Sequence, residues 1–121
     1  MEAAEASGPL VELLWWKGCP STEKALAVLR AEMTAQGLDP DAVVMREVAT
    51  GKDAERERFV GSPTIRIGGI EVAPTEGEAA GLTCRVYRRR DGRISPTPDP
   101  EDLRQALVDS SSAAEVGRSD G

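Results

Sequence analysis

The sequence predicts a mixed α/β fold: a four-stranded mixed sheet with helices on its faces. Three observations predict it. An apolar run from Leu10 to Trp16 precedes a segment of helical periodicity and a second apolar run, Val43 to Val48. That strand–helix–strand order yields a parallel pair. Gly68-Gly69 joins two short β-rich segments, as in a tight hairpin. Near the end, Asp99-Pro100-Glu101-Asp102 combines an N-cap, a first-turn proline and acids suited to the helix dipole.

Residues 1–8 are rich in Ala and Glu and read as a flexible N-terminus ahead of a single domain over 9–109. Leu10 to Trp16 is nearly continuous in apolar character, the mark of a buried strand, and Lys17-Gly18 ends it. Pro20 to Gln36 is predicted helical. Ala25, Leu26, Leu29 and Met33 recur at three- and four-residue spacing, Pro20 suits the first turn, and Gly37 supplies the stop. Val43 to Val48 forms the second strand after the turn Asp39-Pro40-Asp41. The Glu/Arg-rich stretch Thr50 to Phe59 reads as a short exposed helix.

Gly61-Ser62-Pro63 then breaks the chain before the hairpin, Thr64 to Ile67 and Ile70 to Val72. Its Gly-Gly turn tolerates the positive φ that primed turns require. Ala73 to Thr83 lacks periodicity and reads as a loop. Cys84 to Arg88 reads as a short extended piece, turned back at Asp91-Gly92. Leu103, Ala106 and Leu107 give the last helix an apolar side, and residues 110–121 are expected to be a disordered tail.

Composition narrows the chemistry. Among 121 residues there is no histidine, which removes Ser-His-Asp and Cys-His catalysis and the HExxH zinc motif. Two cysteines do not complete a structural zinc site. A net charge of −6 argues against a nucleic-acid partner. No run nears the roughly 18 apolar residues of a membrane span, and the acidic N-terminus lacks an apolar leader region, so a cytoplasmic location without membrane contact is expected. The oligomeric state is not legible.

Cysteine is therefore the candidate centre. Cys19 lies where the first strand hands over to the first helix. Backbone N–H groups and the helix dipole there favour a thiolate, and Lys17 adds charge nearby. Gly18 and Pro20 place Cys19 at an exposed bend; the plainer reading is a buried cysteine serving as a small apolar residue. Trp15 and Trp16 alternate faces of the strand, so core packing is favoured, with Trp16 as an aromatic wall beside Cys19 the alternative. Arg85, Arg88, Arg89, Arg90 and Arg93 read as a solvated turn or, alternatively, an anion site.

A strand, Gly18-Cys19-Pro20 opening a helix, and Gly61-Ser62-Pro63-Thr64 opening a hairpin resemble the thioredoxin-like superfamily over roughly residues 10–110. The resemblance implies Cys19 as nucleophile toward disulfides, Pro63 as a cis-proline beside it, and Ser62 as the residue whose backbone pairs with an extended substrate. The chain is also similar to small actinobacterial thioredoxin-like proteins. Gly18-Cys19-Pro20, Phe59 to Thr64, and Leu82 to Tyr87 carry that likeness. Some of that group are labelled alkylmercury lyases.

One departure matters. The sequence Cys19-Pro20-Ser21-Thr22 puts Thr22 where a dithiol motif has its resolving cysteine, so the Thr22 hydroxyl is expected to donate to the Cys19 sulfur one helical turn away. Resolution then falls to Cys84 or to a small thiol such as glutathione or mycothiol, with no bound cofactor or resident metal expected. A Cys19–Cys84 bond requires Cα atoms within ~7 Å. The expected partner is a disulfide-containing protein or a small-molecule thiol. Two alternatives stay open: a non-catalytic binding module of the same fold, and a cysteine pair that holds a soft metal such as Hg(II) or Cu(I). For organomercurial lysis the acid expected three residues after the first cysteine is here Thr22.

Overall fold

A computed structural model describes residues 9–73, 80–83 and 85–120, with side chains described as far as Ser110. The elements follow the predicted order. Strand β1 (Val11–Trp15) leads to helix α1 (Thr22–Ala35), then β2 (Val44–Glu47), α2 (Gly51–Glu57), the hairpin β3 (Thr64–Ile67) and β4 (Ile70–Glu71), a small ribbon β5 (Tyr87–Arg88) and β6 (Ile94–Ser95), and α3 (Pro100–Asp120). The main sheet is four-stranded and mixed, in the order β2-β1-β3-β4. β1 runs parallel to β2, while β3 runs antiparallel to both β1 and β4.

The period-two alternation of β1 assigns its residues to two cores. Val11 and Leu13 face α1 and α3 together with Ile65 and Ile67, their antiparallel partners across β3. Ala25, Leu29 and Met33 from α1 and Leu103 and Leu107 from α3 close that layer. Leu14 points the other way, to Val48, Ala54 and Phe59 beneath α2. The two tryptophans divide as expected: Trp15 packs on the first cluster and Trp16 on the second.

Capping explains most of the boundaries. α1 starts at Thr22 rather than Pro20, with Ser21 as N-cap, so the proline lies just outside the helix. Gly37, at φ +77°, ends α1: its N–H bonds the Thr34 carbonyl, and the Leu38 N–H bonds the Met33 carbonyl. The Thr50 hydroxyl accepts from the Asp53 N–H to start α2. α2 ends in the same motif as α1, with the Arg58 N–H on the Glu55 carbonyl and the Phe59 N–H on the Ala54 carbonyl. Here the left-handed position is held by Arg58, at φ +56°. Gly68 and Gly69, at φ +61° and +83°, form the hairpin turn.

Two expectations change. The Glu/Arg stretch of α2 is not a solvated face throughout: Glu57 bridges Arg46 at 2.6 Å and Arg66 at 3.3 Å, and Arg46 also reaches Glu12 at 2.9 Å. These charges share the sheet face of Leu14, where the chain alternates polar and apolar positions. The second change is at the C-terminus, where α3 continues to Asp120 through the stretch expected to be a disordered tail. Once nucleated at Asp99, a helix extends cheaply, and Ala113, Ala114 and Glu115 favour it. The expected flexible N-terminus lies outside the described residues. Among the described residues, no helix is long and apolar enough to cross a membrane.

Left-handed φ costs a non-glycine residue about 1–2 kcal/mol. Arg58→Gly should therefore stabilise the protein by about 1 kcal/mol, read from the urea midpoint at unchanged slope. At the other end of the domain, the Asp99 carboxylate accepts from the Arg90 and Glu101 N–H groups. These two bonds hold its pKa below the ordinary 3.8. Its stabilisation is complete above that ordinary value and is lost as pH falls through the lowered one. In an acid titration of stability, Asp99→Asn should remove that part of the loss below pH ~4.

Candidate functional site

The loop from Trp16 to Ser21 turns tightly at the carboxyl end of β1. The Cys19 N–H bonds back to the Trp16 carbonyl at 3.0 Å. This turn carries the Cys19 side chain against the start of β3, where its sulfur lies 3.2 Å from the Ser62 carbonyl oxygen, in the geometry of a thiol donating to it. The Ser62–Pro63 peptide bond is cis. The cysteine and the prolyl bend, 43 positions apart in sequence, thus meet in space.

The meeting is a buried one. Cys19 is 6% exposed, although Lys17, Gly18 and Pro20 around it are all exposed. The expected exposed bend is therefore real for the backbone and wrong for the sulfur. The Trp16 ring lies over Gly18, so close that a Cβ there would fall 2.5 Å from a ring carbon. Trp16 is half-buried against the α2 core, so it serves as packing first and as a wall second.

Ser62 is fully buried and ties four segments together. Its hydroxyl accepts from the Trp16 N–H at 3.1 Å. Its N–H donates to the Thr83 carbonyl and its carbonyl accepts from the Arg85 N–H, both at 2.8 Å. Pro63 is fixed in turn by the Tyr87 hydroxyl, which donates to its carbonyl at 2.6 Å. Burial of Tyr87 pushes its phenol well above the ordinary value, against the opposing charge of Arg85, so it remains a donor across the physiological range.

Arg85 was not legible as part of this site. Its side chain is buried, pairs with Glu71 at 2.7 Å, donates to the Ala73 carbonyl and lies 4.4 Å over the Tyr87 ring. The arginine cluster therefore splits. Arg85 faces inward, Arg90 is held by Asp102 at 2.9 Å, and Arg93 pairs with Asp91 at 3.5 Å in the turn. The alternation of Arg85, Val86 and Tyr87 held a signal: two large side chains of one parity bracket an exposed valine.

The Thr22 expectation fails. Its hydroxyl is buried without a hydrogen-bond partner, and so does not donate to Cys19. The helix starts at Thr22 itself, two residues later than expected, which changes the relation of the two side chains. Cys84 lies outside the described residues; the residues on either side of it, Thr83 and Arg85, both bond to Ser62. Among the described residues, no three His, Cys, Asp or Glu side chains cluster as metal ligands. Set against family models, curated proteins and solved structures, the chain matches none of them.

A buried hydroxyl without a partner is worth nothing to stability and carries a desolvation cost. Thr22→Val, which keeps the shape, should be neutral or stabilising by up to about 1 kcal/mol. It should also leave the alkylation rate of Cys19 unchanged. A slower thiol in that variant would restore the hydroxyl to the site.

Proposed function

We propose that the chain is a thioredoxin-like domain that exchanges thiols and disulfides through Cys19 alone, without a dithiol motif. The carrying observation is the 3.2 Å approach of the Cys19 sulfur to the Ser62 carbonyl, at the point where β3 begins. The element order and the sheet order β2-β1-β3-β4 support the fold assignment. A cytoplasmic setting, where small thiols keep cysteines reduced, suits a monothiol cycle.

In the proposed cycle the Cys19 thiol gives up its proton and the thiolate attacks one sulfur of a substrate disulfide. A Cys19–substrate disulfide forms, and the other substrate sulfur leaves as a thiolate that takes up a proton. A second thiolate then attacks the mixed disulfide. If it is Cys84, a Cys19–Cys84 disulfide forms and the substrate leaves reduced. If it is a small thiol such as glutathione or mycothiol attacking the Cys19-bound substrate sulfur, Cys19 is expelled as its thiolate and the substrate leaves as a mixed disulfide with the small thiol. Ionisation gives up the bond to Ser62, and the Lys17 charge is the nearest compensation the sequence offers.

A second reading is favoured by the burial of Cys19. In it the fold is a non-catalytic scaffold, and the cysteine packs behind the Ser62 bend.

Incubation with a glutathionylated peptide, followed by peptide mass mapping, separates the two readings. Exchange predicts a mixed disulfide on Cys19 that Cys19→Ser abolishes. A Cys84→Ser variant that accumulates this adduct assigns resolution to Cys84. A variant that turns over with added glutathione assigns it to the small thiol. A native Cys19 that reacts no faster than the same cysteine in the urea-unfolded chain would leave the scaffold reading.

A further inference from the structure

Helix α2 ends on a residue whose backbone would be easier for glycine. Arg58 holds the left-handed position, at φ +56°, where α1 uses Gly37. Its side chain is exposed and takes no hydrogen bond or ion pair among the described residues. The helix dipole does not account for it, because Arg56 already supplies a cation to the last turn. Strain retained at a side chain with no partner in the fold calls for a reason outside the fold.

Arg58 borders an open pocket of about 330 Å³ between the end of α2 and the β3–β4 hairpin, with Arg56, Glu57, Arg66, Gly69 and Glu71. Each of its two carboxylates is paired with an arginine that does not line the pocket: Glu57 with Arg46 at 2.6 Å, and Glu71 with Arg85 at 2.7 Å. What the pocket presents is therefore an excess of guanidinium, in a chain of net charge −6. Arg66 is its fixed member. Its side chain is only 15% exposed and donates to both the carboxylate and the carbonyl of Glu57. Those bonds use two of the five N–H groups of an arginine.

We infer that this pocket is an anion site for a small ligand bearing a phosphate group, and that Arg58 is its principal ligand. Guanidinium forks meet phosphate oxygens in paired, parallel hydrogen bonds. Here two of them reach one pocket from different elements, Arg58 from the end of α2 and Arg66 from β3. The volume lies at the low end of the roughly 300–1,000 Å³ of small-molecule sites, which suits free phosphate or a compact phosphate monoester. None of the lining residues is Cys19, Ser62 or Pro63, so the inference stands apart from the exchange reading. The stability that Arg58→Gly would gain has a counterpart: binding is what glycine would forfeit.

Titration of the full chain with inorganic phosphate and with glycerol phosphate at constant ionic strength, followed by amide chemical shifts, tests this. Shifts at residues 56–58, 66 and 69 should saturate. Arg58→Gly should weaken phosphate binding at least about tenfold while its urea midpoint rises. A merely structural arginine does not move those two readouts in opposite directions. Arg58→Lys, which keeps the charge and loses the fork, should fall between the two. Phosphate should raise the urea midpoint of the native chain and not that of Arg58→Gly. Tighter binding of glycerol phosphate than of inorganic phosphate names a monoester as the ligand; the reverse order names the free ion. Shifts that sodium chloride reproduces at equal ionic strength mean screening alone and overturn the inference. An Arg58→Gly variant that binds phosphate as tightly as the native chain overturns it too.

Discussion

Burying Ser62 with every polar group satisfied is the constraint on which the rest of this site depends. A fully buried peptide unit must find partners within the protein, and this one draws them from separate places: the end of β1, the turn that carries Cys19, and the segment before β5. Moving any of these leaves a buried donor or acceptor unmet, at a cost of about 1–3 kcal/mol each. The cysteine is held in place by the same accounting. Its position follows from where the Ser62 carbonyl points as much as from the helix behind it.

That constraint sits at the junction of two cores. On one face, α1 and α3 close over Val11, Leu13, Ile65 and Ile67. On the other, α2 covers a smaller cluster around Leu14 and Phe59, and charged residues fill the remainder. Phe59 belongs to the second cluster, and Gly61, Ser62 and Pro63 lead from it into β3, whose Ile65 and Ile67 face the first. Gly61 takes φ +151° there, and the Ser62–Pro63 bond is cis.

Much of the framework was legible because its signals are local. Apolar periodicity marked β1 and α1, Gly68-Gly69 marked the hairpin, and Asp99-Pro100 marked the start of α3. The pairing of Cys19 with the prolyl bend was legible through resemblance alone, since nothing in the spacing of two distant segments reports that they touch. What escaped were features set by tertiary context. The burial of the Cys19 sulfur follows from the turn after β1, which carries it against the Ser62 carbonyl. Arg85 looked like one more charge in an arginine-rich turn, because a sequence does not reveal that Glu71 and Tyr87 wait opposite it. Counting one helical turn from Cys19 points to Thr22, and the later helix start cancels that count.

The run of ion pairs beneath α2 joins Glu12, Arg46, Glu57 and Arg66 across three strands and a helix. Members of such a set are coupled, because each loss leaves a partly buried opposite charge with one partner fewer. A matched exchange to apolar side chains of similar volume carries no such cost. These four positions therefore form a single unit of sequence change, in which drift at any one of them is felt by the other three.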